Sequence, residues 1–441
     1  MTKEKNNNIL RVPTFAIGIL GLKINQGITE GAYMGFNTDA LHKGLVKDES
    51  FGATITPVYQ VSAFSYKDME TLERVFDGKS AGFAYSRIGN PTVSSFEHRI
   101  NALEHGNGAV ATSSGMAAIT QSLLNFLSSG DSIIAGAGLY VGTIQLLSLL
   151  KNLGIKIIYA SDLSPAGLEK LYSPDVKALF AETISNPSLE IIDIKEIADW
   201  AHSKQIPLLI DNTTATPFLV NPIDYGCDIV IHSSSKYING SSNSISGVII
   251  DSGRFKWNFE KYPALKEFKI YGQFAYLVRL RKDCNASLGG CLSPMNAYLN
   301  LIGLETLGVR IERICNNARI LAEALSKIDG ITVNYPLLQG NKNAELAKKE
   351  LKGFGGGIFT IRTGSKEKAF KIINSLKTAI IASNIGDVRT LVIYPASTLY
   401  IHNTKEEMYA AGVYEDTIRI SVGIEDVEDL IADFESAIKG L

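Results

Sequence analysis

The stretch PLLIDNTTATPFLVNPIDYGCDIVIHSSSKYI, residues 207 to 238, holds two short apolar runs, and each ends on a side chain with chemistry of its own. PLLID closes on Asp211, and DIVIHS runs on through two more serines to Lys236, 25 positions later. The runs are rich in Ile, Val and Leu and lack clean alternation. That pattern fits strands of a parallel sheet buried on both faces.

Working outward, the same pattern recurs in AVAT (109 to 112), SIIAG (132 to 136), KIIYA (156 to 160), ALFAE (178 to 182) and GVIID (247 to 251), with helical spans such as 115 to 128 and 141 to 152 between them. Strands alternating with helices predict an α/β doubly wound core, whose ligands sit outside the carboxyl ends of the strands. Ser113, Ser114 and Gly115 follow one strand, and Asp211 and Lys236 follow others, so all five fall on one rim.

That convergence suggests a Schiff-base site. A buried lysine amine has a lowered pKa and condenses with an aldehyde, and a carboxylate on another strand pairs with a protonated pyridine nitrogen. Pyridoxal phosphate needs both groups. For its phosphate, TSSGMAAI (112 to 119) places small residues at a strand-to-helix junction, where free N–H groups and the positive helix end favour an anion. Ser233 and Ser235 can add hydroxyl donors. YSRIGNPT (85 to 92) offers Tyr85 and the forked guanidinium of Arg87 as a further anion binder. In RISVGIED (419 to 426), Arg419 sits inside a strand-like run, a costly place for a charge unless an anion meets it. An amino-acid carboxylate is such an anion.

The chain has 441 residues, 45% of them hydrophobic, and carries 43 Lys and Arg against 45 Asp and Glu. This is enough for two domains or three, and the formal charge of −2 gives no basic footprint for nucleic acid or an anionic membrane. Cys227, Cys284, Cys291 and Cys315 show no CxxC spacing, which favours a reducing, cytoplasmic setting. The six histidines form no HxxxH or HExxH pair, and no catalytic metal is expected. VPTFAIGILGL (12 to 22) is broken by Pro13, lacks a clear cleavage site and is too short to cross a bilayer. It reads as an arm that packs on a partner subunit. Past residue 288 a long helix is expected from Pro294 to about Lys327, followed by mixed strands and helices; 338 to 357 reads as a loop with a short helix. The expected division is 1–88 (arm and inter-subunit segment), 89–287 (cofactor-binding α/β domain) and 288–441 (α+β domain).

YSRIGNPT, SSGMAAI, ETISNP (182 to 187), DNTTATP (211 to 217), HSSSKY (232 to 237), SPMNAYLNLIGLETLGVR (293 to 310), NIGDVRTLVIYPAS (384 to 397) and RISVGIED stand in an order and spacing that resembles the Cys/Met-metabolism PLP-dependent enzymes, over residues 36 to 438. The resemblance implies the type I, aspartate-aminotransferase-like fold. It implies Lys236 as the Schiff-base lysine, Asp211 opposite the pyridine nitrogen, and Gly115, Met116, Ser233 and Ser235 around the phosphate. Tyr85 and Arg87 would reach a neighbouring subunit's site in a homotetramer built as a dimer of dimers. Tyr140 matches the catalytic tyrosine that stacks on the cofactor ring and assists proton traffic at the leaving group, Asn186 the residue near its phenolic oxygen, and Arg419 the substrate carboxylate clamp, with Asn384 also expected to bind substrate. Gly142, where γ-lyases carry cysteine, and Asn384, where they tend to carry serine, make the chain most similar to the O-acetylhomoserine sulfhydrylases. That implies γ-replacement on O-acetyl-L-homoserine by sulfide or another sulfur donor. The alternatives are a γ-lyase, a cystathionine γ-synthase-like enzyme, or a specialised γ-substitution with another nucleophile or a sulfur-carrier protein. A catalytically silent binding protein is a further one. Asn239 to Asn243 and Ser246 depart from the glycine-rich stretch that usually follows the lysine, and Tyr394 from the usual HPAS.

Overall fold

The computed structural model describes residues 35–46, 48, 50–136 and 138–440. The apolar run at 12 to 22 lies outside them. Among the described residues no helix is long and apolar enough to cross a membrane.

Seven strands form the larger sheet: β1 (Gly108–Thr112), β2 (Ser132–Gly136), β3 (Lys156–Ala160), β4 (Val176–Glu182), β5 (Leu208–Asp211), β6 (Ile229–His232) and β7 (Gly247–Asp251), in the order β1-β7-β6-β5-β4-β2-β3. Helices cover both faces, so β1, β2, β6 and β7 are buried along their whole length. This is why their sequences read as unbroken apolar runs. Two cores result. One lies under Ile133, Ile229 and Ile249, and the other is shared by Ile210, Val230 and Val248 with the rest of the chain.

The pairings among β2, β3, β4, β5 and β6 are parallel, as the runs predict, but β7 runs antiparallel to both β1 and β6. The cause is the connection. Residues 233–246 contain no regular helix to carry the chain across to the far edge, so it turns back on the rim and re-enters from there. Lys236 therefore sits in a turn over the strand ends.

A second sheet, in the order β10-β11-β12-β9-β8, contains β8 (Thr332–Asn334), β9 (Ile358–Arg362), β10 (Ile380–Ile381), β11 (Leu391–Ile393) and β12 (Thr417–Ser421). The short helix inside 338 to 357 is Ala344–Glu350. The helix expected from Pro294 to about Lys327 is instead two, Pro294–Glu305 and Leu307–Leu325, parted at Thr306 with φ −112° and ψ 8°. Arg310 supplies the reason. Its guanidinium takes the Gly303 carbonyl at 2.7 Å and donates to the Thr306 hydroxyl at 3.1 Å, and a side chain inserted in the ladder kinks a helix. The same guanidinium holds the carbonyls of Tyr237 at 2.7 Å and Ile238 at 3.2 Å, bracing the chain just after Lys236.

Candidate active site

β1, β4, β5 and β6 end on the same rim, and there a cavity of about 490 Å³ is lined by Ser114, Gly115, Met116, Tyr140, Asn186, Asp211, Ser233, Ser235, Lys236, Asn384 and Arg419. Ten of the twelve residues singled out in the sequence thus meet at one place: Lys236, Asp211, Gly115, Met116, Ser233, Ser235, Asn186, Tyr140, Arg419 and Asn384. The other two, Tyr85 and Arg87, do not. The Arg87 guanidinium lies 5.6 Å over the Tyr85 ring and donates to the Ala286 carbonyl, and it lines a separate cleft with Ser86 and Arg281.

At one end of the cavity the helix Gly115–Leu124 starts on Ser114, whose hydroxyl accepts from the Ala117 N–H at 3.1 Å. A Cβ at Gly115 would lie 2.5 Å from that of Ser233, so only glycine lets these two backbones approach. The Ser233 N–H donates to Thr213 at 2.8 Å, whereas the Ser235 hydroxyl donates to the Ser246 carbonyl at 3.0 Å and accepts from the Ser246 N–H at 2.8 Å. Ser235 thus ties the returning loop down and keeps one lone pair spare.

Asp211 ends β5 and accepts from the Thr213 N–H at 2.9 Å. Burial raises its carboxyl against the pull of Thr213 and His232. Beside it in register on β4 is Glu182, which the sequence reading did not single out, although it opens the ETISNP block. Burial and then the charge of Asp211 push Glu182 well above the usual carboxylate range, and it accepts the Tyr140 N–H at 2.7 Å. One of two adjacent buried carboxyls keeps its proton; each accepts one N–H, and the further pull of the Thr213 side chain and of His232 favours Asp211 as the ionised member. Beneath them, Thr183, Asn212, Glu104 and His232 form a buried chain of hydrogen bonds of 2.8, 2.9 and 2.6 Å.

The Lys236 amine donates to Asn384 Oδ1 at 2.5 Å. Burial, aided by the positive charge of Arg419, lowers it to about 8. Arg419, on the buried central strand β12, donates to Asn186 Oδ1 at 3.2 Å and to the Asn384 carbonyl at 3.1 Å. Its Nε is buried with no hydrogen-bond partner, and burial lowers the guanidinium to about 10. A buried charge left partly unsatisfied is costly unless an anion completes it.

These groups fit pyridoxal phosphate with an amino acid. The amine, the facing carboxylate, a helix start that only glycine can close, and the Arg419 guanidinium line one cavity. A larger cleft of about 820 Å³ lies on the far side of Glu182. It holds none of the twelve predicted residues, and two of its cations are already paired, Lys342 with Glu190 at 2.8 Å and Arg362 with Asp416 at 2.9 Å.

The sequence profile of the family described as Cys/Met metabolism PLP-dependent enzyme matches residues 37–439. A homocysteine synthase of Schizosaccharomyces pombe is 38% identical over 92% of this chain and 98% of that protein. An O-acetyl-L-homoserine sulfhydrylase of Leptospira meyeri is 38% identical over 92% of this chain and 96% of its own. A solved Campylobacter jejuni structure, described as an O-acetylhomoserine (thiol)-lyase with N'-pyridoxyl-lysine-5'-monophosphate, superposes with a TM-score of 0.87 at 35% identity, over 92% of this chain and 100% of that one.

Proposed function

Because the chain belongs to the Cys/Met-metabolism PLP-dependent enzymes, we propose that it catalyses γ-replacement on O-acetyl-L-homoserine, with sulfide entering as acetate leaves to give L-homocysteine. The observation that carries this reading is the Lys236 amine, brought to about 8 by burial and Arg419, in one cavity with Asp211 and the Arg419 guanidinium. The relatives named as homocysteine synthase and O-acetylhomoserine sulfhydrylase support the choice of substrate.

Bound pyridoxal 5'-phosphate supplies the electron sink that makes loss of the substrate's α-proton feasible. The protein does the rest. Arg419 takes the substrate carboxylate on the part of its guanidinium that lines the cavity. Asp211 would pair with the ring nitrogen, and Glu182 keeps the shared proton so that Asp211 stays charged. The backbone at Gly115 and Met116, with Ser233, would hold the phosphate at the helix start. Asn186 and Tyr140 would hold the ring. Lys236, whose amine gives up its proton more readily than an ordinary lysine's, removes the α-proton and then moves one at the β-carbon, after which acetate departs from the γ-carbon and hydrosulfide adds there.

Tyr85 and Arg87 belong, in this reading, to the site of a neighbouring copy in a dimer of dimers; that neither lines the Lys236 cavity of its own chain supports it. A cytoplasmic setting, and sulfide arriving free or on a sulfur-carrier protein, complete the proposal. The test is to incubate purified protein with O-acetylhomoserine and sulfide. Acetate and homocysteine in equal amounts are expected; no turnover above a Lys236→Ala control rejects the reading, and 2-oxobutanoate with ammonia in the absence of thiol converts it to γ-elimination.

A further inference from the structure

Ser242 lies in the loop that departs from the resembled family's glycine-rich stretch, and its backbone takes a φ of +54°. Glycine adopts that conformation freely and a serine does so under strain. Strain held at a cavity wall points to a use for the side chain, and Ser242 lines the Lys236 cavity.

Its hydroxyl has two partners. It donates to Asp387 Oδ2, and it accepts from Asn384 Nδ2 at 2.8 Å. The direction is forced. Asp387 is paired with Arg389 at 2.8 and 3.0 Å, and a carboxylate only accepts, so the serine proton must point to it. The oxygen is then left as an acceptor, which requires the NH₂ group of Asn384 to face Ser242 and the amide oxygen to face Lys236. Arg389 and Asp387 thus anchor the orientation of an amide three hydrogen bonds from the guanidinium. The Asn384 main chain is held separately by Arg419.

We propose that Ser242 is a positioning residue for the Lys236 amine: through Asn384 it fixes a single acceptor against one N–H, leaving the nitrogen lone pair for the substrate. This deepens the function proposed above, since it rests on Lys236 being the reactive amine. The other groups around that amine are Arg419 from β12, Asp211 from β5, Glu182 from β4 and Tyr140 ahead of the helix Val141–Asn152. Arg419 disfavours the ammonium, and the Asn384 oxygen favours it. Releasing the amide removes the favourable partner.

The test uses full-length Ser242→Ala and Ser242→Gly. Both lack the hydroxyl, but glycine also relieves the strain, so stability and positioning separate. The midpoint for labelling Lys236 with an amine reagent, mapped by mass spectrometry on protein freed of cofactor, should fall by about half a unit or more in both variants. The reconstituted enzymes should lose about tenfold in kcat with KM little changed, while Ser242→Gly melts no lower than the parent. Unchanged midpoints overturn the proposal. So does a shift in Ser242→Ala alone, which would trace to strain. Borohydride trapping of a different lysine in the parent would instead refute the underlying assignment of Lys236, a separate outcome.

Discussion

The ring of Tyr140 rests over Gly142: a Cβ on that glycine would lie 2.5 Å from Tyr140 Cε1. The tyrosine is 41% exposed in the single chain and its N–H is anchored on Glu182, so the ring's direction depends on the space that Gly142 leaves. Any side chain at 142 must turn the ring.

Gly142→Ala and Gly142→Cys should therefore leave the melting temperature nearly unchanged and cut turnover about tenfold, the scale of effect for misplacing one group at the reacting centre. Measuring homocysteine and 2-oxobutanoate together also shows whether the turned ring favours elimination. Unaltered rates and product ratio would mean that the ring position is irrelevant.

Glu182→Gln should be mild and Glu182→Ala severe. A protonated Glu182 is mimicked by the amide, which still accepts the Tyr140 N–H, whereas alanine leaves that N–H unsatisfied at a cost of about 1–3 kcal/mol. Linkage gives the sign with pH. The folded chain holds this proton above the pH at which an unfolded glutamate loses it, so the stability of the pair is fully present at low pH and declines as pH rises toward the elevated folded value. Melting curves of parent and Glu182→Gln across this range should converge at low pH and separate as it rises, the parent falling more.

The amine of Lys236 titrates at about 8, so in the cofactor-free protein its labelling rate should climb through that pH rather than near 10.5. Removing the nearby positive charge with Arg419→Met should raise the midpoint, because the second cause of the depression is gone, while the burial contribution stays. A midpoint that does not move would place the cause wholly in burial.

Arg419→Lys should raise KM for the amino acid by about ten- to a hundredfold while leaving kcat less affected. A lysine ammonium cannot both keep the bonds to Asn186 and the Asn384 carbonyl and present a second edge to a carboxylate. Steady-state kinetics with the amino acid varied reads this directly.

Mixing Lys236→Ala with Arg87→Ala protomers should restore activity that neither variant has alone, if Arg87 serves a neighbouring subunit's site. A hybrid as inactive as its parents assigns Arg87 to the cleft where it already binds the Ala286 carbonyl.

Much of the rim was legible because it is local. Each of β1, β5 and β6 is a short apolar run followed within a few residues by the group it delivers, and burial on both faces writes that order into the sequence. Glu182 was missed for the complementary reason. It ends its strand like any exposed acid, and only pairing with β5 places it against Asp211. The run from Pro294 read as one helix on its apolar pattern, although Gly303 and Gly308 weaken it locally; the break at Thr306 is held by Arg310, which bonds Gly303 and Thr306 while reaching the carbonyls of Tyr237 and Ile238, far away in sequence.

The sequence by itself determined the strands of the larger sheet and, from hydrophobic period and what succeeds each run, the placing of Gly115, Asp211, Ser233, Ser235 and Lys236 on one rim; the charge within a strand-like run marked Arg419, and the family resemblance supplied Met116, Tyr140, Asn186 and Asn384. Tertiary structure alone decided the reversed direction of β7, the proton shared by Glu182 and Asp211, the space under Tyr140 and the orientation of Asn384 between Ser242 and Lys236. The shared proton rests on the pairing of β4 with β5, and the Asn384 orientation on its contact with Lys236, 148 positions away, where no local periodicity carries the information; the β7 reversal and the Tyr140 ring follow from how nearby residues are placed in three dimensions.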